Sequence, residues 1–305
     1  MLLEDLLEEY ILELEIQNYS QKTIISYKSR ILNFCNYLKD KYNIRKVDDL
    51  KTINIKSYVA GLKQAQRKAT YINSIIKSLQ SFLKYAKEEN FIENNPVIDV
   101  KLLKQNKPII NVFTEEEVSR MINTFQGNKF LPIRDKAILC VLVDCGIRCS
   151  ELLKLKLNDI SDNYITIKEP KNRKDRIVSL SPYTKKAITR YVRCREIYFI
   201  NKTLDVDAHL FLSYRGKKLT VEAVERVVKI AGQKSNVDSG IRCSPHTCRH
   251  YYAVTSLKNN LDLYSLSVNL GHSDVSVTSR YLKGLKDKEI VEMSSKTSPL
   301  SNYKK

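Results

Sequence analysis

The chain has 305 residues, more than one hydrophobic core ordinarily organises, so two domains are expected. No apolar run approaches the roughly 20 residues that span a bilayer, and the start Met1-Leu2-Leu3-Glu4-Asp5 lacks the basic stretch of a secretory signal, so a cytoplasmic protein without a membrane partner is expected. Fifty-two Lys and Arg against 34 Asp and Glu leave a net charge of +18, the sign of a protein whose partner is a polyanion.

That charge is unevenly spread. Residues 1–100 carry 15 basic and 13 acidic side chains, net +2, whereas residues 101–305 carry 37 and 21, net +16. Six of the early carboxylates, Glu4, Asp5, Glu8, Glu9, Glu13 and Glu15, fall in the first helical stretch, and residues 17–100 alone are net +8. In that first stretch Leu2, Leu3, Leu6, Leu7, Tyr10, Ile11 and Leu14 form one apolar stripe opposite the carboxylates. Phosphate repels an acidic helix, so this one is expected to face the core or a second protomer.

Ser20 is an N-cap for a second helix, in which Ile24, Tyr27, Ile31, Phe34 and Leu38 recur at helical spacing up to about Asn43. Two more helices are predicted at 54–65 and 69–89, before Asn94-Asn95-Pro96 stops the pattern. Arg67, Lys68, Lys77 and Lys84 are candidate phosphate contacts in this bundle. Residues 1–100 are thus read as one helical domain, and 101–113, with three lysines, a proline and no clean period, as a linker. A basic linker would let two basic domains grip a duplex from opposite sides.

Thr114-Glu115-Glu116-Glu117 is a capping-box pattern, so the second domain is placed at 114–305. Arg134 to Asp144 reads as an apolar helix. Tyr164-Ile165-Thr166-Ile167-Lys168 and Arg176-Ile177-Val178-Ser179-Leu180 read as a β-hairpin. Helices are predicted at 182–197, 220–233, 245–258, 262–270 and 274–281, and the serine- and lysine-rich end from Ser294 as mobile. The fold class is mainly α with a small β-sheet.

Seven cysteines, Cys35, Cys140, Cys145, Cys149, Cys194, Cys243 and Cys248, are odd in number and lack a Cys-x-x-Cys framework, which fits reduced thiols. Cys243, His246, Cys248 and His250 are metal-ligating types, but their spacing matches no common zinc site. No metal and no cofactor is expected.

Three short boxes carry chemistry: Gly146-Ile147-Arg148-Cys149-Ser150-Glu151-Leu152-Leu153, then His246-Thr247-Cys248-Arg249-His250, then Leu270-Gly271-His272 with Tyr281 nine residues beyond. Moving a nucleic-acid strand requires a nucleophile, cations for the charge that grows on phosphate oxygens, and a proton for the departing oxygen. A phenol with a pKa near 10 is a poor nucleophile in water and needs a cationic site. Arginine supplies the paired donors that match phosphate geometry.

This arrangement resembles the tyrosine recombinases, also called the phage integrase or Xer-like family, over nearly the whole chain. The resemblance implies an N-terminal helical core-binding bundle of the SAM-like type and an α-rich catalytic domain. It places Arg148 in the first arginine box as a phosphate-binding residue, with Glu151 ordering the site. It places His246 and Arg249 in the H-x-x-R box, His272 in the third box, and Tyr281 as nucleophile. The family's hairpin lysine, the general acid, falls on Lys171, with Lys174 as the alternative. Family members often have two threonines before the tyrosine and a histidine two residues after it. Here the segment is Ser276-Val277-Thr278-Ser279-Arg280-Tyr281-Leu282-Lys283, which leaves open how the tyrosine is held.

The implied activity is site-specific recombination through a 3′-phosphotyrosyl intermediate and a Holliday junction, without metal or ATP. The implied partners are double-stranded DNA and three further copies of the chain, a homo-tetramer on two DNA sites assembled from a monomer or dimer on each. Leu285 to Met293 is similar to the C-terminal helix that docks on a neighbouring subunit. A bundle beginning so near Met1 fits a simpler Xer-like or mobile-element enzyme rather than one with an additional arm-binding domain. Two other readings use the same features: a type IB topoisomerase-like relaxing activity, and a catalytically idle DNA-binding accessory protein.

Overall fold

The computed structural model describes residues 1–105, 111–168, 175–200, 209–284 and 290–291. The chain divides into two compact units, Met1–Lys107 and Pro108–Lys305.

Unit 1 is four helices, α1 (Leu3–Ile16), α2 (Gln21–Tyr42), α3 (Thr52–Gln64) and α4 (Ala69–Glu88). Leu3, Leu6, Leu7, Tyr10 and Leu14 of α1 are buried in the core of this unit, while Glu4, Asp5, Glu8, Glu9 and Glu15 stay exposed. Leu2 remains 43% exposed, because it precedes the helix as its N-cap. The acidic helix therefore faces the core of its own unit. Helix α2 begins where Ser20 accepts a hydrogen bond from the Thr23 N–H at 3.2 Å and ends at Asn43 in the left-handed conformation, φ +52°.

Helix α4 is the centre of the unit. Ile72, Ile75, Ile76, Leu79, Phe82, Leu83 and Ala86 are buried at helical spacing, and Tyr10 of α1 donates to Ser81 at 2.8 Å. The opposite face carries Lys77 and Lys84, both exposed and two turns apart. Arg67 and Lys68, also exposed, lead into the same helix. The stretch read as a linker is anchored at its described ends. Leu103 exchanges two hydrogen bonds with the Asn73 side chain, at 2.8 and 2.9 Å, and Phe113 is buried in unit 2.

Unit 2 begins with α5 (Glu115–Asn123), whose capping box forms as the sequence predicts. Thr114 accepts from the Glu117 N–H at 3.1 Å, and Glu117 accepts from the Thr114 N–H at 2.8 Å. Helix α6 (Phe130–Cys145) runs through the core, with Ala137 to Leu142 all buried. It ends at Gly146, φ +59°, where a Cβ would collide with the Tyr252 ring. A single turn, α7 (Cys149–Leu152), follows.

Strands β1 (Tyr164–Ile167) and β2 (Arg176–Ser179) pair antiparallel, with Ile165 opposite Val178 and Ile167 opposite Arg176. Alternation buries Ile165, Ile167, Val178 and Arg176 on one face. Helices α8 (Pro182–Phe199), α9 (Val221–Lys234), α10 (Pro245–Lys258) and α11 (Leu263–Leu270) follow, each preceded by a side chain that caps it: Ser181, Thr220, Ser244 and Asp262. The helix expected over 274–281 is instead two pieces, α12 (Val275–Thr278) and a 3₁₀ segment, Ser279–Gly284. Asp274 caps the first piece, but Ser276, Val277, Thr278 and Ser279 are weak helix formers. No helix among the described residues is long and apolar enough to cross a membrane.

Candidate active site

The site is organised around the C-terminus of α11. The last carbonyls of a helix have no partner inside it and sit at the negative end of its dipole. Here three consecutive ones accept from three different arginines. The Asn269 carbonyl accepts from Arg176 Nε at 3.0 Å, Leu270 from an Arg249 terminal nitrogen, and Gly271 from an Arg148 terminal nitrogen at 2.9 Å. Gly271 turns the chain out of the helix at φ +63°, and a Cβ there would lie 2.8 Å from the Arg176 guanidinium. Dihedral angle and space both demand glycine between Leu270 and His272.

Glu151 offsets the repulsion among these cations. It accepts from the Arg148 backbone N–H at 2.7 Å as the cap of α7, from the Arg148 side chain at 2.8 Å, and from Arg176 at 2.7 Å. Its side chain is 11% exposed. Burial would raise its pKa, but the hydrogen bond and charge of Arg176, then the backbone and side-chain hydrogen bonds of Arg148, prevail and hold it below the usual carboxylate value. Arg249 is more deeply buried, 3% exposed, and also donates to the Gly146 carbonyl at 2.9 Å. Burial, with Arg148 next to it, lowers its pKa to about 10, so it stays charged at neutral pH.

Helix α10 contributes the histidines. Ser244 caps it and Pro245 opens it, so His246, Arg249 and His250 fall at i, i+3 and i+4 on the face toward the cleft, while Thr247 and Cys248 are buried. The His246 and His250 rings meet at 4.0 Å between centroids, 63° apart in plane. His250 Nδ1 lies 3.0 Å from the Tyr281 hydroxyl, and the two rings are 5.3 Å apart. Tyr281 is 2% exposed and packs on Ala253, Val254, Leu257, Leu266 and Leu270.

His272 takes a defined tautomer. Its Nε2 is 3.0 Å from Arg249, which can only donate, so that nitrogen carries the lone pair and Nδ1 carries the hydrogen. Nδ1–H then donates to Thr278 Oγ1 at 2.8 Å. Burial and then the surrounding arginines push His272 down to about 4 and lower His246 as well, and burial followed by His246, Arg280 and Arg249 pushes His250 down to about 4. The Tyr281 phenol is raised by burial, against the opposing pull of Arg249 and Arg280.

Arg148, His246, Arg249, His250, His272, Arg280 and Tyr281 line one cleft of about 690 Å³ in unit 2, and Glu151 supports it from behind. Lys171 and Lys174 lie outside the described residues. Arg67, Lys68, Lys77 and Lys84 belong to unit 1. Sequence reasoning missed four participants. Arg176 had a signal, since it alternates with the apolar Val178 and Leu180 and so falls on the inward face of β2. His250 and Arg280 adjoin assigned residues. Thr278, fully buried, lies in the segment whose departure from the family pattern left open how the tyrosine is held, and is the partner of His272.

Residues 111–288 match the family model described as the phage integrase family, and residues 7–90 match that of the phage integrase N-terminal SAM-like domain. Among similar proteins, the tyrosine recombinase XerC of Lacticaseibacillus casei is 30% identical over 278 residues, covering 90% of this chain and 91% of that protein. The tyrosine recombinase XerD of Oceanobacillus iheyensis is 28% identical over 282 residues, 92% of this chain and 94% of that one. The crystal structure of XerA recombinase aligns with a TM-score of 0.54 at 25% identity, over 97% of this chain and 99% of that one. The XerH site-specific recombinase bound to palindromic difH substrate, a post-cleavage complex, aligns with a TM-score of 0.74 at 19% identity, over 95% and 83%. At that identity the likeness is one of fold.

Proposed function

This chain belongs to the phage integrase family, the tyrosine recombinases, and from that premise we propose that Tyr281 is the nucleophile with which it cuts and rejoins double-stranded DNA. Arg148 and Arg249 take the non-bridging oxygens of one phosphodiester, His246 adds a hydrogen bond to the same group, and His272, accepting from Arg249, orients that guanidinium toward it. Attack by Tyr281 forms a 3′-phosphotyrosyl link and releases a 5′ oxygen, which is protonated by Lys171 or, as the alternative, Lys174. The 5′ hydroxyl of a partner strand reverses the step on a new neighbour, through a Holliday junction between two duplexes held by four protomers.

One observation carries this reading: the Tyr281 hydroxyl is hydrogen-bonded within the same cleft that holds Arg148 and Arg249, and all three come from one chain. That supports cleavage in cis. One phosphoester replaces another, so bond energy is retained and ATP has no role. Charge growing on phosphate is met by guanidinium groups, and Glu151, the carboxylate nearest them, is taken up by Arg148 and Arg176, so a metal has no role either. A chromosomal or mobile-element substrate puts the protein in the cytoplasm.

A nicked duplex that loses a short 5′-ended fragment on cleavage traps the covalent adduct and tests this. The wild type forms the adduct with EDTA present and no nucleotide. Tyr281→Phe forms none while binding the same duplex with near-equal affinity. An adduct that survives in Tyr281→Phe would place the nucleophile elsewhere.

A further inference from the structure

We propose that His250 is a catalytic residue: its Nδ1 accepts the hydrogen bond of the Tyr281 phenol and takes that proton as the phenolic oxygen bonds to phosphorus. The inference rests on Tyr281 being the nucleophile and assigns its attack a proton acceptor. The hydroxyl of a residue only 2% exposed needs an acceptor for its hydrogen. Arg249 acts on the same oxygen but can only donate. His250 Nδ1, at 3.0 Å, is the acceptor in place. His272 has both ring nitrogens engaged, with Arg249 and Thr278.

The ring is also held for the task. It sits one turn after His246 on a helix rather than a loop, with the His246 ring against it at 4.0 Å. Burial, then the neighbouring His246 ring, and the charges of Arg280 from the 3₁₀ segment and Arg249 on its own helix disfavour the imidazolium and keep it neutral at physiological pH, so its lone pair is available. Arg148 of the α7 cap, Arg242 before α10, Glu225 of α9 and His272 after α11 line the same cleft.

So weak a base does not ionise the phenol at rest; transfer accompanies bond formation. An anionic phosphodiester in the cleft offsets the cations around the ring and raises its basicity at that moment. The Oη–H bond breaks as Nδ1–H forms, Oη–P forms as P–O5′ breaks, and O5′ takes its proton from the general acid. In resealing, the imidazolium returns its proton to the phenolic oxygen.

The test is the single-turnover rate of adduct formation by the full chain on the nicked duplex at saturating DNA, between about pH 6 and 9. The wild-type rate is expected to be nearly flat with pH. His250→Asn and His250→Ala are expected to be roughly 100-fold slower near pH 7, with rates that climb about tenfold per pH unit as hydroxide takes over the proton. Asn keeps a polar group of similar reach, and unchanged melting temperature and DNA affinity in either variant separate chemistry from folding. Variants within about threefold of wild type, or slower by one constant factor at every pH, would overturn the proposal. A wild type that formed no adduct at Tyr281 would instead overturn the phosphotyrosine reading, a failure visible before any His250 variant is measured.

Discussion

Glu151 is where the arginine cluster is most vulnerable, because one carboxylate, 11% exposed, is paired with Arg148 and with the more deeply buried Arg176 together. Removing one partner of a buried pair leaves the other charge uncompensated, so Glu151→Gln is expected to cost about 3 kcal/mol at pH 7. Since the folded carboxyl is held below its ordinary value of 4.5, its contribution is complete above that pH and disappears as pH falls through the folded pKa. Melting curves at a series of pH values check this: the wild type loses stability below about pH 4.5, and the variant, already lower, loses less there. Equal melting temperatures at pH 7 would show that the charge carries no stability. The histidines act in the same direction, over a higher pH range. His250 and His272 are lowered from 6.5 to about 4, so the unfolded chain binds more protons between those values and stability falls as pH drops from 6.5 toward 4. At this scale the sequence revealed which residue types were present but not all their roles. His250 was visible within its box, yet its contact with Tyr281 spans 31 positions and no local pattern encodes it.

At the scale of elements, the end of α11 gathers the site, and Gly271 is its most constrained position. Gly271→Ala would place a Cβ in a left-handed conformation, costing about 1–2 kcal/mol, and would also displace the Arg176 guanidinium from the Asn269 carbonyl. A melting temperature lowered by at least that equivalent, together with slower adduct formation, is expected. A variant that cleaved and melted like wild type would show that the three arginines do not depend on that turn. The helices themselves were legible because their signals are local. Ser20, Thr114, Ser181, Ser244 and Asp262 each cap a helix through a backbone N–H three residues on, and apolar spacing marks the buried faces. The expected helix over 274–281 was less regular, since its serine and β-branched run has little helix propensity and tertiary bonds to His272 and His250 hold it instead.

For the whole molecule the decisive quantity is the charge of +18. Binding that neutralises phosphates releases counterions, so the logarithm of affinity falls with the logarithm of salt concentration, at a slope of about −0.9 per phosphate contacted. Lys77 and Lys84 share the exposed face of α4, and the exposed pairing of Lys84 with Glu88 at 3.3 Å is too weak to withhold it. Replacing both with alanine is expected to flatten the salt slope by about 2 and weaken binding uniformly across DNA sequences, as read by titration at several salt concentrations. An unchanged slope would remove that face from the DNA contacts. By itself the sequence determined the helical character, the hairpin, the basic balance and the order of the reactive residues, because caps, periods and charges are properties of short stretches. Only the tertiary structure decided that Arg148 and Gly271, 123 positions apart, share a hydrogen bond, and that Arg249 joins them beside Tyr281. Those contacts arise where the unpaired carbonyls of one helix end meet guanidinium groups brought by three other elements.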